Sequence, residues 1–195
     1  NSELADELGN LVARVLTLIE KFSDGKIPKA KKGKRDNEDI GIVAQFEDTI
    51  RHAEEHIKKL EFHKALESIF AYIHLANKYV ADEKPWELAK QNSPHLNTVL
   101  YNLAEALRLI ATLIWPFMPE TAEKISKQLG LAKVPQLKKL EWGQLKVGTE
   151  IKKGDILFEK IDAEKIGVVE PFEKLDLRVA EIKAAVAHDL HHGAL

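Results

Sequence analysis

Asn10 and Arg14 stand four residues apart in a stretch of helical apolar period, so both side chains fall on one helix surface, away from the apolar stripe. An amide carries a donor and an acceptor together, and a guanidinium carries a planar fork of donors. Such a pair suits the edge of an exposed nucleotide base. Trp86 directly follows Pro85 among Asp82, Glu83, Lys84 and Glu87, a neighbourhood too charged for an ordinary core indole. An exposed, proline-braced indole is a stacking platform for an unstacked base, a contact worth ~1–3 kcal/mol. The same types also fit two unremarkable surface residues and a tryptophan packed across a helix corner, and spacing alone leaves both readings open.

Other constellations carry less. His52 and His56 match H-x-x-E-H, in which histidines one turn apart hold zinc beside a basic glutamate. They lie in a charged run, 51–59, with no third ligand identifiable, so a solvated helix face is expected and no metal. The K-I-S-K-Q stretch at 124–128 is similar to the ATP-binding K-M-S-K-S loop of class I aminoacyl-tRNA synthetases. It falls between Pro119 and Gly130 on an expected helix, with no glycine-rich phosphate cradle and no H-I-G-H in the chain. No serine or threonine occupies a G-x-S-x-G turn, and nothing isolates a carboxylate pair, so no catalytic residue is assigned.

The whole chain sets the frame for these side chains. It has 195 residues, 45% hydrophobic and 31% charged, with no cysteine and a formal charge of −2. Lacking cysteine, it has no disulfide, thiolate metal site or thiol nucleophile, and a reducing cytoplasm is the default. The longest apolar run, 109–118, is broken by Thr112 and Pro116 and falls short of the ~20 residues of a membrane span. A protein that coats phosphate by bulk electrostatics is basic overall, so the composition leans against nucleic acid unless a local patch or specific base contacts provide it. One such patch is the loop 26–35, with six basic residues in ten and no acid; Lys29, Lys31, Lys32, Lys34 and Arg35 are candidate phosphate contacts.

Positioning falls to helices. Leu4, Leu8, Leu11, Val15, Leu18 and Phe22 form one stripe of a first helix, which starts at the first residue without a leader and reads as cut from something longer. Asp36, Glu38 and Asp39 open a second, with Val43, Phe46, Ile50, Ala53, Ile57 and Leu60 inward. Ala65, Leu66, Ile69, Phe70, Ile73, Ala76 and Val80 line a third. Pro85 starts a short helical piece, Ser93 and Pro94 open a long apolar helix in which Trp115 is expected in the core, and a last helix stops at Gly130. Beyond Gly130, the β-prone stretches 137–142, 145–151 and 156–161 between glycines predict a hairpin. The expected fold is all-α: an antiparallel bundle of about five helices over 1–136, a β-hairpin extension over 137–165, and a linker with an appended tail over 166–195.

Taken together, N-x-x-x-R at 10–14, K-P-W-E-L-A-K at 84–90 and P-F-M-P at 116–119 resemble the anticodon-binding domain of methionyl-tRNA synthetases, over residues 1–161. The stretch 172–182 resembles the opening strand of the OB-fold tRNA-binding domain that follows it in some of these enzymes, here too short to complete five strands. The resemblance implies a bundle that reads the CAU anticodon loop of methionine tRNAs. It implies that Trp86, braced by Pro85, stacks on the first anticodon base while Asn10 and Arg14 contact anticodon bases. It places ATP, magnesium and catalysis in a catalytic domain of the same chain upstream, with no cofactor and no reaction here. Two other functions stay open: the bundle of a related class I synthetase, and a helical protein-interaction module with Trp86 as its hot spot.

Overall fold

The computed structural model describes residues 2–30 and 37–158; the chain divides into a first unit, Asn1–Lys160, and a second, Ile161–Leu195, outside the described residues. The candidate OB-fold strand and the tail, together with Lys31, Lys32, Lys34 and Arg35, therefore lie outside them.

The first unit is built from α1 (Asn10–Phe22), α2 (Asn37–Lys58), α3 (Phe62–Glu83), the short α4 (Pro85–Lys90), α5 (Leu96–Ile114) and α6 (Pro119–Gln128). A π-helical stretch, Ser2–Gly9, runs directly into α1. Five helices of ten residues or more match the expected bundle.

The apolar stripes settle by packing. On α1, Leu11, Val12, Val15, Leu16 and Ile19 are buried, so the core-facing arc is wider than the expected stripe and Leu18 stands only half-buried at its margin. Leu60, expected inward, is 74% exposed: α2 has already ended, and Leu60 turns the chain with a left-handed φ of 59°.

Helix α5 is dry all round. Every residue from Val99 to Ile114 is buried, including Glu105 at 0% and Arg108 at 3% exposure. Charge survives there only when every polar atom is satisfied. Arg108 donates through Nε (2.8 Å) and Nη2 to Glu105 Oε2, and Leu145 N–H donates to Glu105 Oε1. The other guanidinium contacts leave the helix: Nη2 donates to the Glu141 carbonyl and Nη1 to Gln144 Oε1 at 3.3 Å. The Tyr101 hydroxyl lies 3.0 Å from the Leu145 carbonyl oxygen. A buried ion pair thus clamps residues 141–145 onto the bundle.

That clamp explains the correction to the expected hairpin. Among the described residues, 137–158 forms a single 3₁₀ turn, Leu137–Lys139, and no strand pair of its own. Its backbone bonds elsewhere instead: Ile27 N–H donates to Thr149 O (2.9 Å), Gly148 N–H to Ile27 O (2.8 Å) and Ile151 N–H to Gly25 O (2.9 Å). Lys26 and Glu150 make one isolated antiparallel bridge. The β-prone stretches form turns and that one isolated bridge, and their backbone partners are the loop after α1 and the end of α6. Gly130, at φ 76°, stops α6 in the left-handed cap expected of it, and a Cβ there would sit 2.2 Å from the Glu150 carbonyl oxygen.

Removing one partner of a buried pair leaves the other charged in a dry site, typically costing ~3–5 kcal/mol. Arg108→Met is therefore expected to destabilise by about that much in urea denaturation, and Glu105→Gln combined with Arg108→Met by clearly less than the single change. Burial, and then the charge of Glu105, raise the hydroxyl pKa of both Tyr72 and Tyr101 above the ordinary 10.0. The folded state holds these protons more tightly than the unfolded chain does. The corresponding stability is whole below pH 10 and falls as pH rises beyond it, because only the unfolded chain ionises. Absorbance near 295 nm across an alkaline titration should show both tyrosines ionising only as the fold is lost.

Candidate nucleic-acid interface

The site begins at a corner. Lys84 ends α3 and precedes α4 with φ 44° and ψ 61°, a left-handed conformation that costs a non-glycine residue ~1–2 kcal/mol. Its carbonyl accepts Glu87 N–H (2.7 Å) and Leu88 N–H (3.2 Å), and Pro85 at the first helical position is buried. Across the corner, His95 Nε2 and Glu83 Oε2 are 2.9 Å apart, tying the end of α3 to the approach of α5. The bend therefore sets α4 against α5 and α1, with Trp86 on its outer side, 38% exposed.

Trp86 meets α1. Together with Ala13, Arg14, Thr17 and Leu18 it lines a cleft of about 280 Å³ with a mostly apolar wall. Arg14 and Trp86, singled out separately in the sequence, thus share one cavity. Asn10 is exposed one helical turn before Arg14 on the same outward surface, but it does not line the cleft. Among the described residues, neither Asn10 nor Arg14 makes an ion pair or side-chain hydrogen bond, whereas surface charges at the turn between α2 and α3 are paired. An amide, a guanidinium fork and an indole face are left available along one strip. Lys29 is exposed in the loop after α1.

The other motifs are accounted for. His56 Nδ1 lies 2.8 Å from Glu61 Oε2, and Lys64 donates to Glu61 Oε1 at 2.7 Å; these bonds, Lys64's the larger, hold the Glu61 carboxyl down at about 2. Glu54 and Glu55 pair with Lys58 and Lys59. Glu55 and His56 of the H-x-x-E-H stretch are thus engaged along and just beyond α2, and the described residues contain no group of three or more metal-ligating side chains. The K-I-S-K-Q stretch lies on α6 with Ile125, Ser126 and Gln128 buried, which leaves no mobile phosphate loop.

Two features went unforeseen. Trp115, expected in the core, is 49% exposed where α5 ends. It lines a second, larger groove of about 1020 Å³ with Pro116, Leu131 and Val134. Thr17, passed over in the sequence, stands in the first cleft; its position three residues after Arg14 was the available signal. Trp142, by contrast, packs edge-on against Phe46 with ring centroids 5.1 Å apart. None of the described helices is long and apolar enough to cross a membrane.

Residues 27–172 match the family described as the anticodon binding domain of methionyl tRNA ligase. A methionine–tRNA ligase of Caldanaerobacter subterraneus subsp. tengcongensis is 42% identical over 210 residues, which cover 95% of this chain and 33% of the relative. One of Clostridium acetobutylicum is 42% identical over 168 residues, 85% of this chain and 26% of the relative. Among solved structures, the apo form of Mycobacterium tuberculosis methionyl-tRNA synthetase superposes with a TM-score of 0.76 at 32% identity, over 83% of this chain and 33% of that one. The chain thus spans about a third or less of the length of these relatives.

A left-handed lysine is a removable cost. Lys84→Gly is expected to stabilise the fold by about 0.5–1 kcal/mol, the relief of αL strain less glycine's extra unfolded entropy. Lys84→Val is expected to destabilise it by more than 1 kcal/mol, because a β-branched residue tolerates φ > 0 worst. Urea midpoints of the two variants check both signs.

Proposed function

The chain belongs to the methionyl-tRNA ligase anticodon-binding family, and from that premise we propose that it reads the CAU anticodon loop of methionine tRNAs. One observation carries the proposal: the Trp86 indole and the Arg14 guanidinium line the same small cleft, with Asn10, unpaired among the described residues, one turn away.

Single-stranded loop bases are read by stacking and by hydrogen bonds to their edges. In this reading the first anticodon base stacks on Trp86, with Pro85 bracing the indole. Arg14 offers its donor fork to a base edge, and Asn10 offers a paired donor and acceptor further along the strip. Lys29 and the basic residues 31–35 contribute phosphate contacts and a salt-dependent association rate. This distribution agrees with a formal charge of −2, because selectivity resides in a few side chains rather than in the net field.

The chain performs no reaction of its own in this proposal. The ligase activity, with its ATP and magnesium, belongs to a catalytic domain of the longer protein, working in the cytoplasm. Within this chain, the buried face of α6 gives the K-I-S-K-Q residues a packing role in place of a nucleotide one.

A titration of a CAU anticodon stem-loop, followed by tryptophan fluorescence, tests the reading. Trp86→Ala is expected to weaken binding about 5–150-fold, the equivalent of ~1–3 kcal/mol of stacking. A stem-loop with a changed first anticodon base should bind the wild-type chain more weakly than CAU does. Equal affinity for CAU and an unrelated anticodon would sink the assignment and favour the bundle of a related synthetase or a protein partner.

A further inference from the structure

Two other helical threonines show what Thr17 does differently. The Thr49 hydroxyl donates to the Gln45 carbonyl at 2.7 Å, and that of Thr112 to the Arg108 carbonyl at 2.9 Å; both satisfy themselves on the preceding turn. Thr17 lies in the middle of α1, where Ala13 offers the same carbonyl, yet among the described residues its hydroxyl makes no hydrogen bond. It is exposed and stands on the wall of the cleft that Trp86 and Arg14 share.

Helix geometry makes this placement useful. At 100° per residue, Thr17 falls close to Arg14 and Asn10 on the surface of α1 opposite Leu11, Val15 and Ile19. A β-branched side chain in a helix has few χ1 rotamers, so its hydroxyl is held in place at little entropic cost. The cleft, about 280 Å³, is at the small end of ligand cavities and suits one flat heterocycle. A base lying on the indole presents its edge to the α1 wall, where a donor fork and a hydroxyl stand three residues apart. The hydroxyl both donates and accepts, whereas Arg14 only donates. A base edge that pairs an acceptor with a donor, as cytosine's does, needs both kinds of group.

We propose that Thr17 is a specificity-determining residue of this site, its hydroxyl hydrogen-bonding the edge of the base stacked on Trp86 beside the Arg14 fork. The proposal rests on the anticodon-reading function given above and adds a contact to it. Thr17 sets which base is accepted, whereas Trp86 sets how firmly any base is held.

Thr17→Val keeps the shape and removes the hydroxyl; Thr17→Ser keeps the hydroxyl and removes the methyl group. Both are titrated with the CAU stem-loop and with stem-loops changed at the first anticodon base, alongside Trp86→Ala and a thermal melt. Thr17→Val is expected to weaken CAU binding about 2–12-fold, the range of one neutral hydrogen bond, and to narrow the preference for CAU over the changed base. Thr17→Ser should restore most of that preference. Both variants should melt close to the wild type, since the exposed hydroxyl has no partner among the described residues. Unchanged affinity and preference in Thr17→Val, with Trp86→Ala still weakened, overturns the role of Thr17 alone. If Trp86→Ala also binds normally, the anticodon-reading function falls and Thr17 with it.

Discussion

The carboxylate of Glu105 sits at 0% exposure in a helix whose neighbours are dry on every side, and it is tolerable there only because both its oxygens are occupied. Arg108 takes one oxygen, and the backbone of Leu145 takes the other. The helix cannot satisfy these groups alone, so the fold must bring residues 141–145 to it. Once they are there, the extended backbone beyond them closes against the loop after α1 and the end of α6, where only a glycine at position 130 leaves room. A polar requirement inside an apolar helix thereby organises a segment that has little regular structure of its own.

The same helix governs the candidate site from its other end. Its approach is tied through His95 to Glu83, next to the left-handed Lys84 that turns the chain into α4. Trp86 is therefore placed by a strained corner, a buried proline and two packed helices. In the proposed function, a stacking platform placed in this way by its backbone has less freedom to lose when a base arrives, which is the energetic advantage of preorganisation. Opposite it, α1 buries one broad face and leaves Asn10, Arg14 and Thr17 along the other without side-chain partners among the described residues.

Such an arrangement reconciles near-neutral charge with an RNA partner. Bulk phosphate attraction scales with net positive charge, whereas stacking and edge hydrogen bonds depend on the position of a few groups. Elsewhere on the surface, charges are often paired within a turn or two, as Arg51 is with Asp48 and Lys59 with Glu55, and so add little to the field.

Much was legible in the residues themselves because helical period is local. The apolar spacing of α1, α3 and α5, the prolines at 85 and 119 and the glycine at 130 mark helices and their ends by steric rules that act within a few residues. Asn10, Arg14, Pro85 and Trp86 could be singled out in the same way, from type, spacing and charge context. What tertiary structure decided was non-local. The β-prone residues after 136 form turns in place of a hairpin, because their backbone partners lie 122 residues away in sequence, as Ile27 with Thr149 shows. Trp115 looked like core because it ends an apolar helix, yet the chain turns there and leaves its indole half exposed. The meeting of Trp86 with Arg14 and Thr17 depends on how α4 lies across α1, a contact over some 70 residues of chain that no local period encodes.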